Sequence, residues 1–174
     1  MFSSPEKNIS QFELAPGMQV ADLGSGVGFY SIALAKAVGP SGKVYSVDIQ
    51  KELLLKLQED AANFGIHNIK LIWGDLDLER SSTLDDNSLD RVLIANTLFQ
   101  IENKETLIQE AKRILVPGGK LLVIDWKSSY GGLGPKSNDV LKEDVAKSLI
   151  ESYGFSFVKD IDAGDNHYGF IVKK

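Results

Sequence analysis

The chain of 174 residues contains no cysteine. That absence excludes a disulfide framework, a thiolate metal site and a cysteine nucleophile. No metal centre is expected. No apolar run reaches the length of a signal peptide or of a membrane span, so a cytoplasmic protein is expected. No cluster of lysine and arginine stands out, and the formal net charge is −5. Binding to a nucleic-acid backbone is therefore not expected. Repeats, low-complexity tracts and long linkers are also missing. One domain spanning residues 1–174 follows from the length, with residues 1–16 ahead of the first strand as a candidate lid.

What is present is a regular alternation. Short apolar runs are separated by amphipathic helical segments, the pattern of βαβ units around a parallel sheet. Strands are expected at Gln19–Leu23, Lys43–Val47, Ile69–Trp73, Asp90–Ala95 and Lys120–Asp125. Helices are expected at Val27–Val38, Gln50–Phe64, Asn103–Leu115 and Asn138–Tyr153. Inward faces are read as Leu53, Leu57, Ala61 and Phe64 in the second helix, and as Leu141, Val145, Leu149 and Ile150 in the fourth. Two last strands, Phe155–Lys159 and His167–Lys173, are joined by a link too short for a helical crossover. They should form an antiparallel hairpin.

The most informative segment runs from Val20 to Phe29. An apolar strand enters three alternate glycines, Gly24, Gly26 and Gly28, and a helix begins at once. Such a turn lets backbone approach a ligand closely at the positive end of a helix. Asp22 sits two positions before the first glycine. Its carboxylate would repel a pyrophosphate and attract an ammonium group. The dinucleotide pattern also needs a small residue where Phe29 stands. The turn therefore suits a cationic amino acid–nucleoside, and S-adenosylmethionine is such a molecule.

Further candidates fall on the same edge of the sheet. Asp48, ending the second strand, can accept both hydroxyls of a ribose or cap the next helix, with Ile49 beside it. Gly74, Asp75 and Leu76 follow the third strand, where Asp75 can accept from an adenine amine and Leu76 can cover the ring. Asn96 ends the fourth strand and can bind a ligand or cap a turn. Ser25 completes the glycine turn.

These landmarks, together with Pro117-Gly118-Gly119, resemble those of class I S-adenosylmethionine-dependent methyltransferases. Leu84–Asp90 and Arg113–Gly119 are similar to the broad branch that includes ubiquinone/menaquinone-biosynthesis methyltransferases. The resemblance implies an α/β, Rossmann-like doubly wound sheet of seven strands in the order 3-2-1-4-5-7-6, with strand 7 antiparallel. It implies that Asp22 and the turn hold the methionine part, Asp48 the ribose, and Asp75 with Leu76 the adenine. It places Asn96 near the transferring methyl. Asn96-Thr97-Leu98-Phe99 replaces the Asn/Asp-Pro-Pro-aromatic motif, which argues against methylation of DNA bases or glutamine. The expected reaction is methyl transfer to a small-molecule acceptor. A protein acceptor and a non-catalytic S-adenosylmethionine-binding module are the alternatives. Asp125 and Tyr130 are the candidate bases, and His167 is a poorer one because it starts a strand. Phe99, Trp126 and Tyr130 are the candidate acceptor contacts, with the loop Trp126–Pro135 as a mobile cover and Phe2–Glu6 as a lid or a frayed end.

Overall fold

The computed structural model describes residues 4–130 and 134–174. Its elements are α1 (Pro5–Ser10), β1 (Gln19–Leu23), α2 (Phe29–Val38), β2 (Lys43–Asp48), α3 (Lys51–Asn63) and β3 (Ile69–Trp73). They continue as β4 (Leu89–Ala95), α4 (Lys104–Ile114), β5 (Leu115–Trp126), α5 (Glu143–Ser152), β6 (Ser156–Asp160) and β7 (His167–Lys173). One seven-stranded sheet runs in the order β3-β2-β1-β4-β5-β7-β6. The first five strands pair in parallel. β7 lies antiparallel to both β5 and β6. The expected topology and the hairpin are both present.

Each face of the sheet buries its own apolar layer. On one side α4 and α5 bring Leu107, Ile108, Ala111, Ile114, Ala146 and Ile150 onto Ala21, Leu23, Ile94, Leu121, Val123 and Phe170. On the other, α1 and α2 bring Ile9, Ala33, Leu34 and Val38 onto Val20, Val44, Leu93, Leu122 and Ile171. Alternate residues of each strand serve opposite layers, as the pleat requires. α4 starts at Asn103, whose side chain accepts from Thr106 N at 3.3 Å, and ends with Lys112 and Arg113, which suit the negative helix end.

Several local expectations are corrected. The N-terminal segment does not fray from Ser4 onward, because Ile9 and the fully buried Phe12 anchor it in the core. Phe2 and Ser3 lie outside the described residues. Phe64 is 65% exposed, with the Lys36 ammonium above its ring, and Leu54 takes the inward position instead. Val145 is likewise exposed, while Ala146 faces in. The last helix begins at Glu143 rather than Asn138. β5 begins at Leu115, which pairs with Leu89, and the glycine pair is absorbed as an irregularity between Leu89 and Arg91. Among the described residues no helix is long and apolar enough to cross a membrane.

Candidate cofactor and acceptor site

The site grows out of the register. Asp22, Asp48, Ala95, Trp126 and His167 sit at one edge of five neighbouring strands, on the face covered by α1 and α2. They line one cavity of about 560 Å³ together with Pro5, Gly24, Ser25, Gly26, Tyr30, Asn96 and Gln100. A smaller cavity of about 190 Å³ adjoins it, lined by Ile49, Gly74, Asp75 and Leu76 and sharing Gly24, Asp48, Gln50 and Gln100. Of the residues proposed from sequence for the cofactor, only Gly28 lines neither cavity.

The three glycines have three different reasons. Gly24 and Ser25 both donate their N–H to Val47 O, at 2.8 and 3.0 Å. A Cβ on Gly24 would stand 2.2 Å from Thr97 Oγ1. A Cβ on Gly28 would stand 2.1 Å from Leu57 Cδ1, so Gly28 lets α3 approach and serves packing. Gly26 has φ +54° and nothing within 4 Å of its missing Cβ. It is the open cradle of the turn.

Asp48 braces that cradle. Its Oδ2 accepts from Gly26 N at 2.8 Å and its Oδ1 from Gln50 N at 2.9 Å. The cap of α3 is Gln50, not Asp48. A carboxylate oxygen has further lone-pair capacity, so both oxygens can still accept from a ligand. Asp22 is buried, and its Oδ2 accepts from Ser31 Oγ at 2.6 Å. Ser31 Oγ in turn meets Ser46 Oγ at 2.7 Å. Burial first, and the nearby Asp48 charge, push the Asp22 carboxyl up to about 7, against hydrogen bonds from Ser31 that oppose the rise. Asp75 Oδ1 accepts from Asp77 N at 3.0 Å, and Leu76 is buried at the edge of the core.

Three polar side chains of the larger cavity have buried atoms with no hydrogen-bond partner among the described residues: Ser25 Oγ, Asn96 Oδ1 and both ring nitrogens of His167. Such groups cost free energy unless something supplies the missing bond. Asn96 also holds φ +55°, a sparsely populated conformation for a residue with a side chain. The orphaned atoms and the open face of Gly26 fit a polar ligand lying along the turn.

The structure does not bring the candidate bases there. Asp125 alternates with Ile124 and Trp126 and so faces the α4–α5 layer. Its oxygens accept from Phe99 N at 3.0 Å and Trp126 N at 2.8 Å. Burial pushes its carboxyl up to about 6 despite those bonds. Asp125 therefore ties the loop after β4 to the end of β5. Tyr130 and Phe99 do not line the cavity either. Of the expected cover, Gly131–Leu133 lie outside the described residues. Trp126 does reach the cavity, held with ring centroids 4.2 Å from His167. Gly134 packs over the indole, since a Cβ there would lie 2.7 Å from Trp126 Cδ2. Sequence reasoning undervalued His167 and passed over Tyr30 and Gln100, while Pro5, which lines the cavity, belongs to the segment read as a lid or a frayed end. No local signal marks His167, which is brought beside Trp126 by the β5–β7 register.

A family model described as a methyltransferase domain matches residues 14–152. The demethylmenaquinone methyltransferase of Geobacillus sp. (strain WCH70) is 31% identical over 69% of this chain and 50% of its own length. The ubiquinone/menaquinone biosynthesis C-methyltransferase of Burkholderia mallei is 30% identical over 89% of this chain and 60% of its own. The chain thus spans between half and three-fifths of these curated relatives. A solved S-adenosylmethionine-dependent methyltransferase from Aquifex aeolicus superposes with a TM-score of 0.89 at 30% identity, covering 99% of this chain and 90% of that one. With the sheet order, the glycine turn and these likenesses together, the chain belongs to the class I S-adenosylmethionine-dependent methyltransferase family.

Proposed function

We propose that the protein uses S-adenosylmethionine to methylate a small-molecule acceptor. The observation that carries this reading is the double cavity over the glycine turn, walled by two buried carboxylates and orphaned polar atoms. In this reading Asp22, Ser25, Gly26 and Asn96 hold the amino-acid end. Asp48 accepts the ribose hydroxyls, and Ile49, Asp75 and Leu76 enclose the base. Gly24 and Gly28 act indirectly, by letting Thr97 and Leu57 close on the turn. A bound sulfonium donor supplies an activated methyl group. The chain's part is to align the acceptor with that methyl and to exclude water. Asp125 is a positioning residue that fixes the loop after β4. The curated relatives' names speak of quinone-pathway methylation, which favours a small acceptor over a protein one. We treat residues 1–174 as one methyltransferase domain acting in the cytoplasm.

Calorimetry tests the reading directly. S-adenosylmethionine and S-adenosylhomocysteine should bind, and NAD and NADP should bind far more weakly. Gly26→Val should abolish nucleoside binding, because its side chain would fill the cradle. Tighter binding of NAD than of both nucleosides would overturn the proposal.

A further inference from the structure

The cofactor reading uses only part of the larger cavity. The base is placed over β2 and β3, and the amino-acid end over β1 and β4. The sheet order leaves the stretch over β5 and β7, floored by Trp126 and His167, for something else. His167 is 3% exposed, and neither ring nitrogen has a partner among the described residues. The other titratable side chains on this cavity are engaged. Asp22 accepts from Ser31, Asp48 from Gly26 and Gln50, and Tyr30 Oη from Asn8 Nδ2 at 2.8 Å.

We infer that the acceptor carries a neutral hydroxyl group and that His167 receives it: one ring nitrogen accepts the hydroxyl hydrogen bond and takes that proton as the methyl group is transferred. This rests on the methyltransferase reading above. The step balances. The O–H bond breaks and its proton goes to the imidazole nitrogen. The oxygen forms a bond to the methyl carbon, and the S–C pair returns to sulfur. Positive charge thus passes from the sulfonium to the imidazolium, which later yields its proton to water. An anionic acceptor is disfavoured by Asp22 and Asp48 on the same floor. A cationic acceptor would meet the sulfonium's own charge.

The surroundings of His167 suit this use. Burial first, then the charge of Lys127, hold its pKa below the ordinary value. Besides Lys127, Asp165 stands two residues before it and Asp22 lies across the floor. The ring therefore stands neutral before transfer and releases its proton readily afterwards. The aromatic face of Trp126 fixes the imidazole without using its nitrogens.

The test uses phenol and its methyl ether, anisole, in which a methyl group replaces the hydroxyl hydrogen in question. Binding of S-adenosylhomocysteine to the wild-type protein is measured first, and its failure would remove the methyltransferase reading itself. The loaded protein is then titrated with each probe while the ¹⁵N resonances of the imidazoles are followed. Phenol should bind about tenfold more tightly than anisole, the upper end of one net hydrogen bond. It should shift His167 and leave His67, at the opposite edge, unmoved. His167→Phe should erase the preference for phenol, and His167→Gln, which keeps an acceptor, should retain it. Equal affinity for the two probes, no binding of phenol, or an unshifted His167 resonance would each overturn the inference.

Discussion

At the scale of single residues, the glycine turn separates ligand binding from packing. Gly26→Ala meets open space, so the fold should lose only the roughly 1 kcal/mol of a left-handed backbone while nucleoside affinity falls. Gly28→Ala carries the same backbone penalty and drives a methyl group into Leu57. Overpacking typically adds about 1–3 kcal/mol. Urea unfolding and calorimetry on the two variants should thus give opposite orders of damage. Asp48→Ala should weaken S-adenosylhomocysteine by about 1–3 kcal/mol, because ribose hydroxyls lose their acceptor and Gly26 N–H loses its brace. Unchanged affinity in the folded variant would reduce Asp48 to a support for the turn. The places of Asp22 and Asp48 beside the glycine turn were legible in sequence because each stands near the end of a strand that neighbours it. His167 was not, because nothing local shows that a residue opening a strand will lie beside Trp126.

At the scale of elements, the parallel strands and their helices follow from periodicity, and the exceptions have physical causes. Phe64 and Val145 are apolar residues at the margins of their helical stripes. Leu54 and Ala146, one residue from expected inward positions, are the ones the sheet receives. α1 is too short to announce itself by periodicity. Its place is set by Phe12, buried completely beneath it, and by the Ser4 side chain accepting from Lys7 N. Phe12→Ala should therefore cost about 3–5 kcal/mol in denaturant unfolding, the usual penalty for emptying a large core position. A loss below 1 kcal/mol would show that α1 is only loosely attached. Hydrogen exchange gives an independent reading. The amides of Asn8 and Phe12, bonded to Ser4 O at 2.9 Å and Ile9 O at 2.9 Å, should exchange more slowly than those of a frayed terminus.

At the scale of the whole molecule, cofactor binding, proton binding and stability are linked. The Asp22 carboxyl titrates at about 7 in the folded chain against an ordinary 3.8. Folding energy gained from this raised pKa is fully present below 3.8 and is lost as pH rises through about 7. Cofactor binding responds in the opposite sense. An ammonium group favours the ionised carboxylate, so below about pH 7 binding must expel a proton. Affinity for S-adenosylmethionine should then fall as pH drops from 8 to 6, by up to about tenfold per unit once the group is protonated. Asp22→Asn should flatten that dependence, and a flat profile in the wild type would show that Asp22 is ionised without the ligand. Saturating ligand should also raise the unfolding temperature, since a hundredfold excess over Kd contributes about 2.7 kcal/mol.

The division between sequence and tertiary structure follows from the range of the forces involved. Apart from α1, strand and helix identity, the glycine turn, the parallel sheet and its closing hairpin are set by patterns within a few residues, and the sequence by itself determined them. Which face each strand end presents depends on register between segments far apart in the chain. That register sends Asp125 to the α4–α5 side, where backbone N–H groups occupy it, and brings Trp126 and His167 together over the cavity. A one-residue difference in strand position exchanges the two faces. Asp125 and Trp126 are adjacent in sequence and opposite in role for that reason, and only the folded sheet decides between them.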